Sequence, residues 1–169
     1  DWYNTLSPDE KNKLVKYSGM GLSLIKGPGL SSRKTQKDLL GSIANNANLH
    51  RDFQFTVMVG KKGLMSKGSF VDQHFIYNAL IEAYHKSNDF KNMEEVCYME
   101  LGECDKIGPE LIKEFKGNVP RSIPFKEKLV ELLYDEEDQD KRKSIFDVLV
   151  RNGFMTKEEA ENEMENIGQ

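Results

Sequence analysis

The sequence predicts an all-α fold assembled from helical hairpins, and three observations carry that expectation. Apolar residues recur at helical spacing along most of the chain, no run of alternating β-branched residues marks a strand, and one hairpin pattern returns 37 residues further on.

The elements follow in order. Ser7-Pro8-Asp9-Glu10 places a capping serine, a proline at the first helical position and a glutamate at the third, which predicts a helix from Pro8 to Tyr17. "GMGLSLIKGPG" (19–29) then reads as a loop, because glycine permits positive φ and proline blocks helix. It is the expected hinge, dividing the chain into an N-terminal helix with its linker (1–30) and a helical domain (31–169). Leu39, Leu40, Ile43, Ala44 and Ala47 follow the i, i+3, i+4, i+7 rule, as do Phe75 or Ile76 with Leu80 and Tyr84. The second of these helices stops at Ser87-Asn88-Asp89 and restarts.

Laying "LLGSIANNANLHRDF" (39–53) over "IYNALIEAYHKSNDF" (76–90) matches Leu40 with Tyr77, Ile43 with Leu80, Ala44 with Ile81, Ala47 with Tyr84, Asp52 with Asp89 and Phe53 with Phe90. The stop is therefore the turn of a hairpin. A looser third copy is "FKEKLVELLYDEEDQD" (125–140) followed by "KRKSIFDVLVRNGF". Pro109, Pro120 and Pro124 are expected to break the second half, with "GNVPRSIPF" (117–125) as its connector. Thr156-Lys157-Glu158-Glu159 is a second capping box, opening a last helix toward Asn166.

Composition bounds the function. A chain of 169 residues can bury a sufficient core without disulfide or metal, and 38% hydrophobic against 31% charged residues suits thin helical layers. Net charge is −4, so there is no overall field to draw in nucleic acid or anionic lipid. Cys97 and Cys104, separated by a helical rise of about 10 Å, are too far apart to pair. Free thiols indicate a reducing, cytoplasmic setting. The most apolar run, Phe55 to Val59, is far short of the ~20 residues of a membrane span, and no secretory leader is read.

Tyr77, Leu80, Tyr84 and Phe90 fill the aromatic and leucine places of a tetratricopeptide repeat, which the second copy resembles in degenerate form. Ile81 stands where the repeat has glycine and Met93 where it has a small residue, so the helices of this copy must pack wider or skewed. Over 31–155 the chain also resembles a family of small bacterial and phage proteins with degenerate repeats of this kind. The residues that carry this are His74-Phe75-Ile76-Tyr77-Asn78, Leu80-Ile81-Glu82, Tyr84, Lys86, Asp89, Cys97 and Pro120-Arg121-Ser122-Ile123-Pro124-Phe125. The resemblance implies a right-handed solenoid of about three hairpins with capping helices, and it brings no activity. Such arrays hold extended ligands against the first helix of each hairpin. By that analogy the groove residues are Phe75, Asn78, Glu82 and His85 in the second copy, with Gly41, Asn45 and Asn48 in the first. Asparagine amides can bond a peptide backbone. The lysine-asparagine set with which some members clamp a C-terminal carboxylate is not reproduced.

Other constellations read as structural. His74 and His85 share a helical face, but a rise of roughly 16 Å forbids one metal between them. His50, in a turn, is expected to be exposed. Glu82 and His85, three apart, could couple a carboxylate to an imidazole, though ordinary helix pairs look the same. "YDEEDQD" (134–140) lacks the glycine and terminal glutamate of a calcium loop, and neither glycine-rich stretch has the ending of a phosphate loop. Lys61, Lys62 and Lys67 form a basic cluster, near Arg33, Lys34 and Lys37 if the first hairpin folds back, without interleaved aromatics for stacking bases. The expectation is a non-enzymatic, cofactor-free module that binds a protein partner. Two other readings are a phage or mobile-element regulator acting on a host protein and a nucleic-acid-binding scaffold.

Overall fold

The computed structural model of the chain describes residues 2–19, 35–120 and 123–167. Every regular element among them is helical: α1 (Trp2–Thr5), α2 (Pro8–Ser18), α3 (Gln36–Leu49), α4 (Phe53–Leu64), α5 (Phe70–Lys86), α6 (Phe90–Glu114), α7 (Pro124–Tyr134), α8 (Gln139–Arg151) and α9 (Lys157–Ile167). The chain is all-α, with antiparallel neighbours joined by short turns. The glycine-rich loop expected as a hinge lies, beyond Gly19, outside the described residues, as do Arg33 and Lys34.

Local chemistry sets the helix starts. Ser7 Oγ accepts from the Glu10 N–H at 3.2 Å while Glu10 Oε2 accepts from the Ser7 N–H at 2.7 Å, closing the capping box of α2. Thr156 and Glu159 exchange the same pair of bonds at the head of α9. Ser69 and Asp72 do so for α5, a box not read from the sequence.

The helix ends repeat more closely than the sequence does. After α3, Arg51 takes φ 60°, its N–H donating to Asn48 O and that of Asp52 to Ala47 O; after α5, Asn88 takes φ 60°, with Asn88 donating to His85 O and Asp89 to Tyr84 O. Each bond of the second turn lies 37 residues beyond its counterpart in the first. This is the double-bonded left-handed helix end that satisfies two orphan carbonyls. α6 and α8 finish in the same way, at Lys116 and Gly153, again 37 apart.

α3 packs on α4 and α5 on α6, and α5 also lies against α3, α4 and α7. Two cores therefore meet at α5. One gathers Leu14 and Tyr17 with Leu40, Ile43, Ala47, Phe55 and Val59; the other runs from Ile76 and Leu80 through Ile107 and Leu111 to Phe125, Leu129, Phe146 and Phe154. Bare backbone lets α4 approach closely: a Cβ on Gly60 would stand 2.8 Å from Leu80 Cδ2, and one on Gly63 2.7 Å from Ile76 Cδ1. The N-terminal helix docks on the first hairpin, with Lys13 Nζ 2.9 Å from Asp52 Oδ2 and Asn46 Nδ2 donating to Tyr17 O at 2.7 Å.

Two expectations need correction. Pro109 does not break the second half but lies inside the 25-residue α6. The residue before a proline is normally forced out of helix by its own Cβ, and here that residue is Gly108. The third copy is also not a hairpin like the first two. α7 packs on α5 and α6 and α8 on α6, while α7 and α8 make little contact with each other; α9 bridges them.

Candidate functional site

The first helices of the two matched hairpins, α3 and α5, lie side by side. Between them opens a shallow depression of about 100 Å³ lined by Asp38, Gly41, Ser42 and Asn45 from α3 and by Asp72 and Phe75 from α5. Gly41 eases the approach, since a Cβ there would stand a tight 3.1 Å from Ile76 Cγ1. Phe75 is 40% exposed and meets Phe115 edge-on at 6.4 Å. Asn45 spends its Nδ2 on Gly41 O at 3.0 Å, and Asp72 Oδ2 accepts from Thr35 Oγ1 at 3.2 Å. Ser42 Oγ forms no hydrogen bond among the described residues.

The six groove residues read from the sequence separate into two groups. Asn45 and Phe75 line the depression, and Glu82 and His85 lie further along α5, part-exposed. Asn48 and Asn78, expected at the surface, are buried, at 3% and 8% exposure. Asn48 Nδ2 donates to Glu82 Oε2 at 2.6 Å, tying α3 to α5. Glu82 is otherwise paired with Lys86 rather than His85, whose ring meets Phe90 edge-on at 6.0 Å.

Asn78 serves the fold in a way its spacing could not reveal. The residue preceding α7 is Ile123, which has no side-chain acceptor to cap the helix, and Pro124 has no N–H. Asn78 Oδ1 supplies the cap from another helix, accepting from the Phe125 N–H at 2.9 Å, while its Nδ2 donates to His74 O at 2.8 Å.

Behind the depression, the α5–α6 contact holds polar groups in an apolar setting. His74 Nδ1 bonds Glu100 Oε1, and Glu100 is fully buried with Oε2 left without a partner. Burial pushes the Glu100 carboxyl up to about 7, against the pull of His74. Next to it, Lys37 Nζ donates to Gln73 Oε1 at 2.6 Å, Gln73 bonds Glu103, and the Tyr77 hydroxyl donates to Glu103 Oε2 at 2.9 Å. Desolvation holds the Lys37 ammonium below its ordinary range and, together with the Glu103 bond, raises the Tyr77 phenol. Cys97 and Cys104 are buried free thiols, both pushed up by burial, Cys97 to about 12. Sequence reasoning passed over Glu100. The signal was present, because Cys97, Glu100, Cys104, Ile107 and Leu111 form one helical stripe in which a carboxylate stands among apolar residues.

The lysines read as a basic cluster have different surroundings. Lys61 lies over the Tyr84 ring at 6.0 Å, Lys62 over the Trp2 ring at 5.9 Å, Lys67 is exposed before α5, and Lys37 is buried. His50 is exposed and stacks on Tyr17 at 5.6 Å. In the acidic turn, Asp138 caps α8 and Glu136 pairs with Lys141. Among the described residues no cluster of histidine, cysteine, aspartate or glutamate could hold a metal ion, and no helix is long and apolar enough to cross a membrane. A second, open groove of about 550 Å³ lies between the ends of α6 and α8, lined by Ile112, Gly117, Asn118, Val119, Gly153 and Met155.

The chain is similar to an uncharacterized protein of Aquifex aeolicus (strain VF5), with 25% identity over 137 residues that cover 74% of this chain and 67% of that protein. No family model matches the chain, and no solved structure does.

Proposed function

We propose that the chain is a non-enzymatic protein-interaction module of tetratricopeptide-like hairpins, arranged as a right-handed solenoid, that holds a segment of a partner protein along the α3–α5 face. The observation that carries this reading is the depression between two equivalent helices, with Phe75 part-exposed in its wall and Ser42 and Asn45 beside it. A part-exposed aromatic supplies contact area at low entropy cost, and serine and asparagine beside it supply adaptable hydrogen bonding. The repeat reading is supported by the two turns whose bonds recur 37 residues apart, and by the small residues through which the first hairpin meets α5. The buried network behind the face bonds α5 to Lys37 of α3 and to Glu100 and Glu103 of α6, and a preformed surface lowers the entropy cost of binding. Glu82 and His85 extend the surface toward the end of α5.

The test is Phe75→Ala combined with Asn45→Ala. Both side chains leave the helix backbone and the buried network intact, so capture of the partner should weaken while the circular dichroism spectrum stays helical. Unchanged capture by a folded double variant rejects the α3–α5 face as the binding surface. Asn78 is unsuited to this test, because its replacement disturbs α7.

A further inference from the structure

Glu100 is a carboxyl with no exposure, one oxygen on His74 and the other on no donor among the described residues. The unpartnered oxygen distinguishes the two protonation states. In the neutral acid Oε2 is an ordinary carbonyl oxygen, which folded proteins leave unsatisfied at modest cost; in the carboxylate it carries half of a buried charge with no donor near. The groups around it are His74 and Tyr77 on α5 and Glu103, Cys97 and Cys104 on α6. Lys128 and Glu131 of α7 and the Asp105–Arg151 pair between α6 and α8 lie further out. None of them donates to Oε2.

The same spot is where the last third of the chain is seated. The His74 ring lies 5.7 Å from the Phe154 ring, Phe154 meets Phe125 edge-on at 5.4 Å, and Asn78, bonded to His74 O, caps α7 through the Phe125 N–H. An ionised Glu100 gains water only if α6 parts from α5 or if this aromatic pair lifts.

We propose that the His74–Glu100 pair is a proton-held latch: one carboxyl proton keeps residues 123–167 seated on α5 and α6, and its loss to solvent releases them. The buried acid holds its proton to about 7, above its ordinary value of 4.5, so its contribution is complete in acid and is lost as pH rises between those values. Most buried carboxylates that are paired with bases behave in the opposite sense.

Hydrogen exchange followed on the whole chain tests this, with rates corrected for base catalysis. From about pH 5 to about pH 8.5, protection of α7 and α9 should fall tenfold or more relative to α3 and α4, a tenfold change matching one unit of differential protonation. Equal change in both regions, or none, overturns the latch. Glu100→Gln keeps the size and a neutral bond to His74, so the difference should vanish; its persistence also overturns the proposal. Should that variant not fold, the infrared band of a protonated carboxyl in the wild-type chain decides. It is expected to persist to about pH 6 and to disappear above the range in which protection is lost, and its absence throughout refutes the mechanism.

Discussion

Replacing Asn78 with alanine should unseat α7 although the substitution lies 47 positions away in sequence. The side chain is 8% exposed, and its Oδ1 is the acceptor for the Phe125 N–H at 2.9 Å, at a helix start where Ile123 and Pro124 offer no substitute. Leaving that buried N–H unpaired costs about 1–3 kcal/mol. Alanine returns roughly 0.5 kcal/mol through better helix propensity in α5. The Nδ2 bond to His74 O is lost without consequence of the same size, because that carbonyl also belongs to the α5 ladder. The net loss is about 1.5 kcal/mol, which for a chain of this size lowers Tm by roughly 3–6 °C. Thermal and urea unfolding followed by circular dichroism gives the total, and hydrogen exchange gives its location. The loss should concentrate in α7. A Tm unchanged within about 1 °C, or exchange that rises equally in α3 and α4, refutes the remote cap.

Other substitutions probe other joints. Gly108→Ala would put a Cβ 2.6 Å from Asn152 Cβ and 2.9 Å from its backbone oxygen. Alanine forfeits its usual gain in helix propensity here, because its Cβ also meets the ring of Pro109, and overpacking against backbone leaves a net loss of about 2 kcal/mol in urea unfolding; a more stable variant contradicts the packing. Arg51→Gly should raise stability by about 0.5–1 kcal/mol, because Arg51 holds φ 60° at the end of α3 and glycine takes that conformation freely. A lower urea midpoint there argues against the left-handed helix end.

Much of the architecture was legible because helix signals are local. The capping boxes at Ser7 and Thr156, the stripe from Leu39 to Ala47 and the Ser87-Asn88-Asp89 stop each depend on residues within one or two turns. The matched pair of turns went further, since Arg51 and Asn88 share no side-chain chemistry yet take the same backbone state. What was not legible depends on the partner helix. Pro109 reads as a breaker until Gly108 and its packing on Asn152 are seen. Asn78 lies on the face that the repeat analogy gives to ligand, and only the arrival of α7 turns it inward. Asn45 and Phe75 border the depression because, among the described residues, no helix covers α3 and α5 there as α7 covers Asn78.

The α3–α5 face is tested most directly by site-specific photo-crosslinking in the organism from which the chain derives. A benzophenone amino acid placed at Ser42, in the depression, is compared with one at Lys91, exposed on α6. A protein partner should attach at Ser42 through one defined segment, with the yield reduced by Phe75→Ala, and should not attach at Lys91. Attachment at Lys91 alone, or equally at both positions, would contradict the account.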